Sequence, residues 1–159
     1  MTGEESKALV QRWNEIGPFT PEGLSMVTDD FRWIMPPSME EFFFGADDGV
    51  RGPAALARVP LVDKAVYSDF SGSGTEVEQH FTIAEGDRVV MQYEARFTTH
   101  DGEPYHNIYC TVITCRDGKI AEVRSHVDTQ YFYAKTMGTE SKRAAVRERL
   151  AKLRAETET

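Results

Sequence analysis

Cysteine is nearly absent from the sequence, which has only Cys110 and Cys115 among 159 residues. The two lie five apart in a segment that reads as β-strand, so they point to opposite faces about 16 Å apart and cannot pair with each other. No apolar run is long enough to cross a bilayer, and the opening MTGEESK is acidic and polar, without the apolar stretch of a secretion signal. A cytoplasmic location is the expectation. The four histidines, His80, His100, His106 and His126, show neither H-x-H nor H-x-x-x-H spacing, and no C-x-x-C accompanies them, so spacing offers no preformed zinc site. Basic charge is in deficit, with 18 Lys and Arg against 26 Asp and Glu and a formal net charge of -8. Such a chain is repelled by duplex nucleic acid and anionic membranes unless its cations gather on one face. The one basic concentration, Lys142 to Arg154, sits among Glu140, Glu148 and Glu156 and reads as a salt-bridged, solvated face. Neither nucleic acid nor membrane is expected as a partner. There is no G-x-S-x-G, Walker or dinucleotide fingerprint, which leaves acyl, phosphoryl and hydride transfer without support.

What is present suits one compact core: 40% hydrophobic and 28% charged residues at a length that buries about two-thirds of the unfolded surface. Leu9, Trp13 and Ile16 recur at helical spacing within Glu4 to Ile16, closed by Gly17-Pro18. Thr20-Pro21 opens a second, short helix with Leu24, Met26 and Val27 to bury, ended by Asp29-Asp30. Phe31 to Met35 reads as a short strand stopped by Pro36-Pro37. Ser38 to Gly52, with three consecutive Phe, four acids and three Gly, suits a long loop over something apolar, a lid. A helical stretch follows from Pro53 through Pro60 to Tyr67, and SGSG at Ser71 to Gly74 is a loop.

From Thr75 the pattern changes to period two, with strands at about Thr75 to Ile83, Arg88 to Thr99, Pro104 to Cys115 and Lys119 to Asp128. The separators AEGD, HDGE and RDGK are hairpin turns, so the four strands form an antiparallel meander. After TQYFYAKTMG comes a charged helix, Glu140 to Glu156, whose narrow stripe of Val146, Leu150 and Leu153 fits a surface helix or a seam against a partner. This order of elements predicts an α+β domain with helices packed on one face of a curved antiparallel sheet.

The strand motifs carry a resemblance. Gly86-Asp87-Arg88-Val89, then Tyr105-His106-Asn107-Ile108-Tyr109, then Arg116-Asp117-Gly118-Lys119-Ile120-Ala121-Glu122-Val123 and a terminal Asp128 are similar to the SnoaL-like and ketosteroid-isomerase-like proteins of the nuclear transport factor 2-like superfamily. The resemblance implies a cone-shaped curved antiparallel sheet with N-terminal helices on its concave face, forming a domain over residues 1–135, followed by a C-terminal charged helical extension at 136–159. It implies a cavity, and in the cyclase members an acid/base role for the terminal Asp. Ketosteroid isomerases place their base just after the first strand, where Trp33-Ile34-Met35-Pro36 offers no carboxylate. The Arg and Asp pair of limonene-type epoxide hydrolases is replaced by Tyr93 and Ala95, and their last-strand Asp by Ser125.

If the two later turns have three residues each, Thr99 pairs with Glu103 and Cys115 with Lys119, which sorts the sheet into two faces. Met91, Tyr93, Ala95, Phe97, Tyr105, Asn107, Tyr109, Thr111, Ile113, Ala121, Val123, Ser125 and Val127 share one, apolar with a few neutral polar groups. Gln92, Glu94, Arg96, His106, Ile108, Cys110, Val112, Glu122, Arg124 and His126 share the other, a partly solvated outer face suited to a homodimer. The expected substrate-binding wall is Trp33, Met35, Tyr93, Phe97, Asn107, Tyr109, Ser125 and Val127, taking a hydrophobic small molecule with one or two oxygens. Enolisation, cyclisation and dehydration need a base and oxyanion donors, with neither metal nor other cofactor. Asp128 and His80 are the first candidates for the base, ahead of Asp30, Glu40, Glu41, Asp47 and Asp48. Asp128 reads equally well as the cap of the following turn, and His80 faces the pocket only if the AEGD turn has two residues. Cofactor-free isomerisation, cyclisation or dehydration of a cyclic or polycyclic carbonyl compound is one expectation; a non-catalytic ligand-binding or interaction module is the other.

Overall fold

A capping box opens the first helix, α1 (Gly3–Ile16): the Thr2 hydroxyl accepts from the Glu5 backbone N–H, and the Glu5 carboxylate accepts from the Thr2 N–H. This computed structural model describes residues 1–45, 49–71 and 77–157. Asp47, Asp48, most of the SGSG segment and the first residues of the expected third-quarter strand fall outside the described residues. α1 buries Ser6, Val10 and Trp13, with Leu9 packed alongside. Gly17 turns the chain at φ 94°, and the Thr20 hydroxyl caps α2 (Pro21–Ser25) by accepting from the Gly23 N–H.

Asp29-Asp30 does not end that helix, because a strand has already begun: β1 spans Val27–Ile34 and buries Val27 and Phe31. Both aspartates are exposed within it, and Asp30 forms an ion pair with Arg116. The stretch expected as a lid is instead a helix, α3 (Pro37–Phe44), started by proline in its first turn, followed by the two-residue β2 (Val50–Arg51). Phe43 is buried against Phe132, and the Arg147 guanidinium lies 4.9 Å from the centre of the Phe42 ring, so these aromatics belong to a core. Two short helices, α4 (Gly52–Leu56) and α5 (Val59–Val66), fill the stretch from Pro53 to Tyr67.

β3 (Val77–Glu85), β4 (Arg88–Thr98), β5 (Pro104–Arg116) and β6 (Lys119–Val127) form the meander. The curled, unclosed six-stranded sheet has the order β2-β1-β6-β5-β4-β3, antiparallel throughout except where β1 runs parallel to β6. No short turn joins β1 to β6, so their direction is set by packing.

The turns differ in detail from the three-residue expectation. HDGE has three loop residues: the Thr99 N–H donates to the Glu103 carbonyl, and Gly102 sits at φ 83°. AEGD and RDGK have two, with Glu85 opposite Arg88 and Arg116 opposite Lys119. Two-residue turns alone would send the wrong side chains to the core. A bulge in each hairpin repairs this, at His80 in β3 and at Ala121 in β6. Ile113 therefore faces Val123 and Thr111 faces Ser125, so the expected sorting holds for most of the face. Ile120, not Ala121, is the inward residue at the start of β6, with none of its surface exposed.

Asp128 caps α6 (Thr129–Thr136), and the chain closes with α7 (Glu140–Thr157). Val146 and Leu150 of α7 bury in the same cluster as Leu61, Val62, Ala65 and Val66 of α5. Arg149 donates to the Ala65 carbonyl and Arg154 to the Phe43 carbonyl. The apolar stripe of α7 thus seats on α5 of the same chain.

Candidate active site

The concave side of the sheet holds two apolar clusters. One surrounds Trp13, Phe31, Met91, Ile113 and Val123; the other surrounds Tyr67, Tyr105, Phe132 and Leu150. A cavity of about 440 Å³ is lined from both, which is within the range of sites for small organic ligands. α1 and the turn after it contribute Trp13, Asn14 and Phe19, β1 contributes Trp33, and α5 with the residues beyond it contributes Val59, Asp63, Tyr67 and Phe70. The sheet adds Gln79 from β3, Met91, Tyr93, Ala95 and Phe97 from β4, Tyr109, Thr111 and Ile113 from β5, and Val123 and Ser125 from β6.

Three tyrosines line this wall. Burial, followed by the negative charge of Asp63, raises the Tyr93 phenol above its ordinary value; burial likewise raises Tyr67 and Tyr109, with smaller contributions from neighbours that include Asp63. All three stay protonated at neutral pH and can donate. The Tyr93 and Tyr109 rings stack at 5.3 Å, nearly parallel. Behind them Asn107 Nδ2 donates to the Tyr105 hydroxyl at 3.0 Å, which lies 2.8 Å from the Tyr109 hydroxyl. Asn107 therefore acts behind the wall, ordering the phenol that faces the cavity.

Trp33, Tyr93, Phe97, Tyr109 and Ser125 stand on the wall as expected. Met35, Asn107 and Val127 do not. Met35 lies beyond the end of β1, where its N–H donates to Glu40. At the other end, Asn107 Nδ2 bonds the Asp128 carbonyl and the Tyr131 and Phe132 rings of α6 pack on Tyr105, so helix covers the sheet where Asn107 and Val127 stand.

Neither favoured base reaches the cavity. Asp128 is exposed and accepts from the Tyr131 N–H at 2.9 Å, a helix cap. His80 would face Tyr93 in the plain two-residue register, but the bulge leaves Gln79 opposite Tyr93 and turns His80 to the outer face, 3.7 Å from Glu94. Asp30 and Glu40 are held by Arg116 and the Met35 N–H, and neither they nor Glu41 line the cavity.

Among the described residues the one carboxylate on the wall is Asp63, half-buried on α5. Asp63 was not among the bases expected from the sequence. A signal was available: Val59, Asp63, Val66 and Tyr67 follow i, i+4, i+7, i+8, so the acid shares a face with residues that must be covered. Outside the cavity, Glu78, His80 and Glu94 bring possible metal-ligating atoms within 4.8 Å of one another on the outer face.

A model of the SnoaL-like domain family matches residues 8–123. The chain belongs to the SnoaL-like domain family. Solved structures carry the same fold. TerC, co-crystallized with polyporic acid, is 22% identical with a TM-score of 0.67, the alignment covering 82% of this chain and 97% of TerC. A nuclear transport factor 2-like protein of unknown function from Burkholderia pseudomallei aligns at TM-score 0.68 and 17% identity, over 84% of this chain and 98% of that one. A putative SnoaL-like polyketide cyclase from Jannaschia aligns at 0.64 and 18%, over 84% and 92%. No curated protein matches the sequence.

In this SnoaL-like domain Thr111 is among the residues lining the cavity. It is 3% exposed, and its hydroxyl is buried without a hydrogen-bond partner among the described residues. Directly across the β5–β6 pair, Ser125 accepts from Trp33 Nε1 at 2.8 Å. Thr111→Val is expected to leave the melting temperature unchanged or raised, since it removes an unsatisfied buried group. A clear drop in melting temperature, measured by differential scanning calorimetry, would show that the hydroxyl has a partner.

Proposed function

We propose that this protein is a small-molecule enzyme performing acid–base chemistry on a hydrophobic, cyclic carbonyl compound, with Asp63 as the base. Asp63 takes a proton from carbon next to the carbonyl, and tyrosine phenols of the wall donate to the oxygen on which charge develops. Isomerisation, cyclisation and dehydration all begin with that step and need no cofactor for it. The observation that carries the reading is one carboxylate, among the described residues, set on an apolar wall with three phenols held protonated. The Jannaschia protein, a putative SnoaL-like polyketide cyclase, and TerC, co-crystallized with polyporic acid, fit a cyclic, oxygenated ligand. The test is deuterium wash-in α to the carbonyl of cyclic aryl ketones such as 2-tetralone, followed by NMR in D2O. Exchange faster than buffer is expected, and exchange at the buffer rate for every ketone tried counts against the proposal. A binding module without turnover is the second reading, favoured by the exposed positions of both Asp128 and His80.

The outer face is proposed to pair two copies of the chain. Phe81, Ile83 and Ile108 stand 44%, 60% and 49% exposed there, more apolar surface than a solvated sheet face needs. Sedimentation equilibrium is expected to show a dimer that Ile108→Lys dissociates; a wild-type monomer at micromolar concentration would remove the proposal.

A further inference from the structure

The outer face also gathers side chains that the cavity chemistry does not use. Glu78 and Glu94 are direct cross-strand partners on β3 and β4, where like charges repel, and Glu94 is only 8% exposed. His80 follows Glu78 by two residues, and the β-bulge turns it to the same face. Glu78, His80 and Glu94 each offer a ligand atom, all within 4.8 Å of one another. Two residues of one strand and the facing residue of the next form a triangle of donors.

Arg96 holds the far oxygens: its Nη1 is 3.1 Å from Glu78 Oε2, and its Nη2 bonds Glu94 Oε1. Glu94 Oε2 is left facing imidazoles, with His106 Nε2 at 2.7 Å and His80 Nε2 at 3.7 Å. His80 Nδ1 lies 3.4 Å from Gln92 Oε1, an atom that can only accept. The His80 ring is thus held between Gln92 and Glu94, with its Nε2 edge toward Glu94 Oε2. Two ligands of one tetrahedral ion, each at its usual distance of about 2.1 Å, stand about 3.4 Å apart. The 3.7 Å from His80 Nε2 to Glu94 Oε2 is close to that spacing.

We propose that Glu78, His80 and Glu94 bind a divalent transition-metal ion of the zinc type, with His106 or water as the remaining ligand. Imidazole nitrogen selects such ions over magnesium and calcium. Arg96 and Gln92 then serve the site from behind, orienting the Glu94 carboxylate and the His80 ring. All the ligands belong to one chain, and the site stands apart from the cavity.

The experiment is isothermal titration of zinc chloride into the full-length protein, first dialysed against chelator, with cobalt(II) absorption as a second readout. Expected are about one equivalent per chain, cobalt d–d bands of a four-coordinate site, and no response to magnesium. His80→Ala should weaken zinc at least tenfold, while His126→Ala, an exposed histidine on the same face, should not. If buried Glu94→Gln fails to fold, His80→Ala decides alone, since that side chain is partly exposed. No saturable zinc binding, or binding unchanged by His80→Ala, overturns the proposal.

Discussion

Asp63→Asn is expected to lower base-catalysed exchange on a cyclic ketone by about 10²- to 10⁴-fold, the usual contribution of a positioned general base. Asparagine keeps the shape of the side chain but cannot take a proton at neutral pH. The fold should survive, because α5 is anchored by Leu61, Val62, Ala65 and Val66, all buried in the cluster shared with α7. Melting temperature measured alongside activity separates the two effects. Asp128→Asn is the matching control: asparagine caps a helix as well as aspartate, so both stability and exchange should be retained. Wild-type exchange rates in Asp63→Asn, or a large loss in Asp128→Asn, would move the base away from α5.

Leu150→Ala should cost about 2–5 kcal/mol, as large-to-small changes in a filled core do, and lower the melting temperature by roughly 5–15 °C. Leu150 is 5% exposed and packs with Phe43, Val62 and Ala65, so no water fills the space it leaves. Leu153, only partly buried at the margin of the same cluster, should cost less when changed to alanine. Were α7 an independent extension, Leu150→Ala would leave the main unfolding transition where it was. Because α7 grips α5 through the Arg149 bond to the Ala65 carbonyl, the loss should also reach the cavity, where α5 presents Asp63. Differential scanning calorimetry of the two alanine variants checks the ranking.

The cavity wall was legible to the degree that it is made of strand. Tyr93, Phe97, Tyr109 and Ser125 alternate with polar residues at period two, and only one sorting of the faces buries the apolar set. That sorting survived a two-residue RDGK turn where three residues were expected, since the bulge at Ala121 restores what the shorter loop would have inverted. Burial of one face outweighed turn geometry. The bulge in β3 defeated the reading of His80, because a single extra residue reverses a side chain and leaves no mark in the composition.

Local sequence set the meander, the helix start at Thr20, the separation of Cys110 from Cys115 and the neutral polar character of the wall. These follow from interactions between residues near in sequence: caps, turns and alternation. Tertiary structure decided the rest: the parallel β1–β6 pair, the burial of Phe43 under α7, and the arrival of Asp63 on the wall. Each of those depends on elements far apart in the chain meeting at one surface. Such meetings are fixed by how the helices close over the sheet, which no local pattern of residues records.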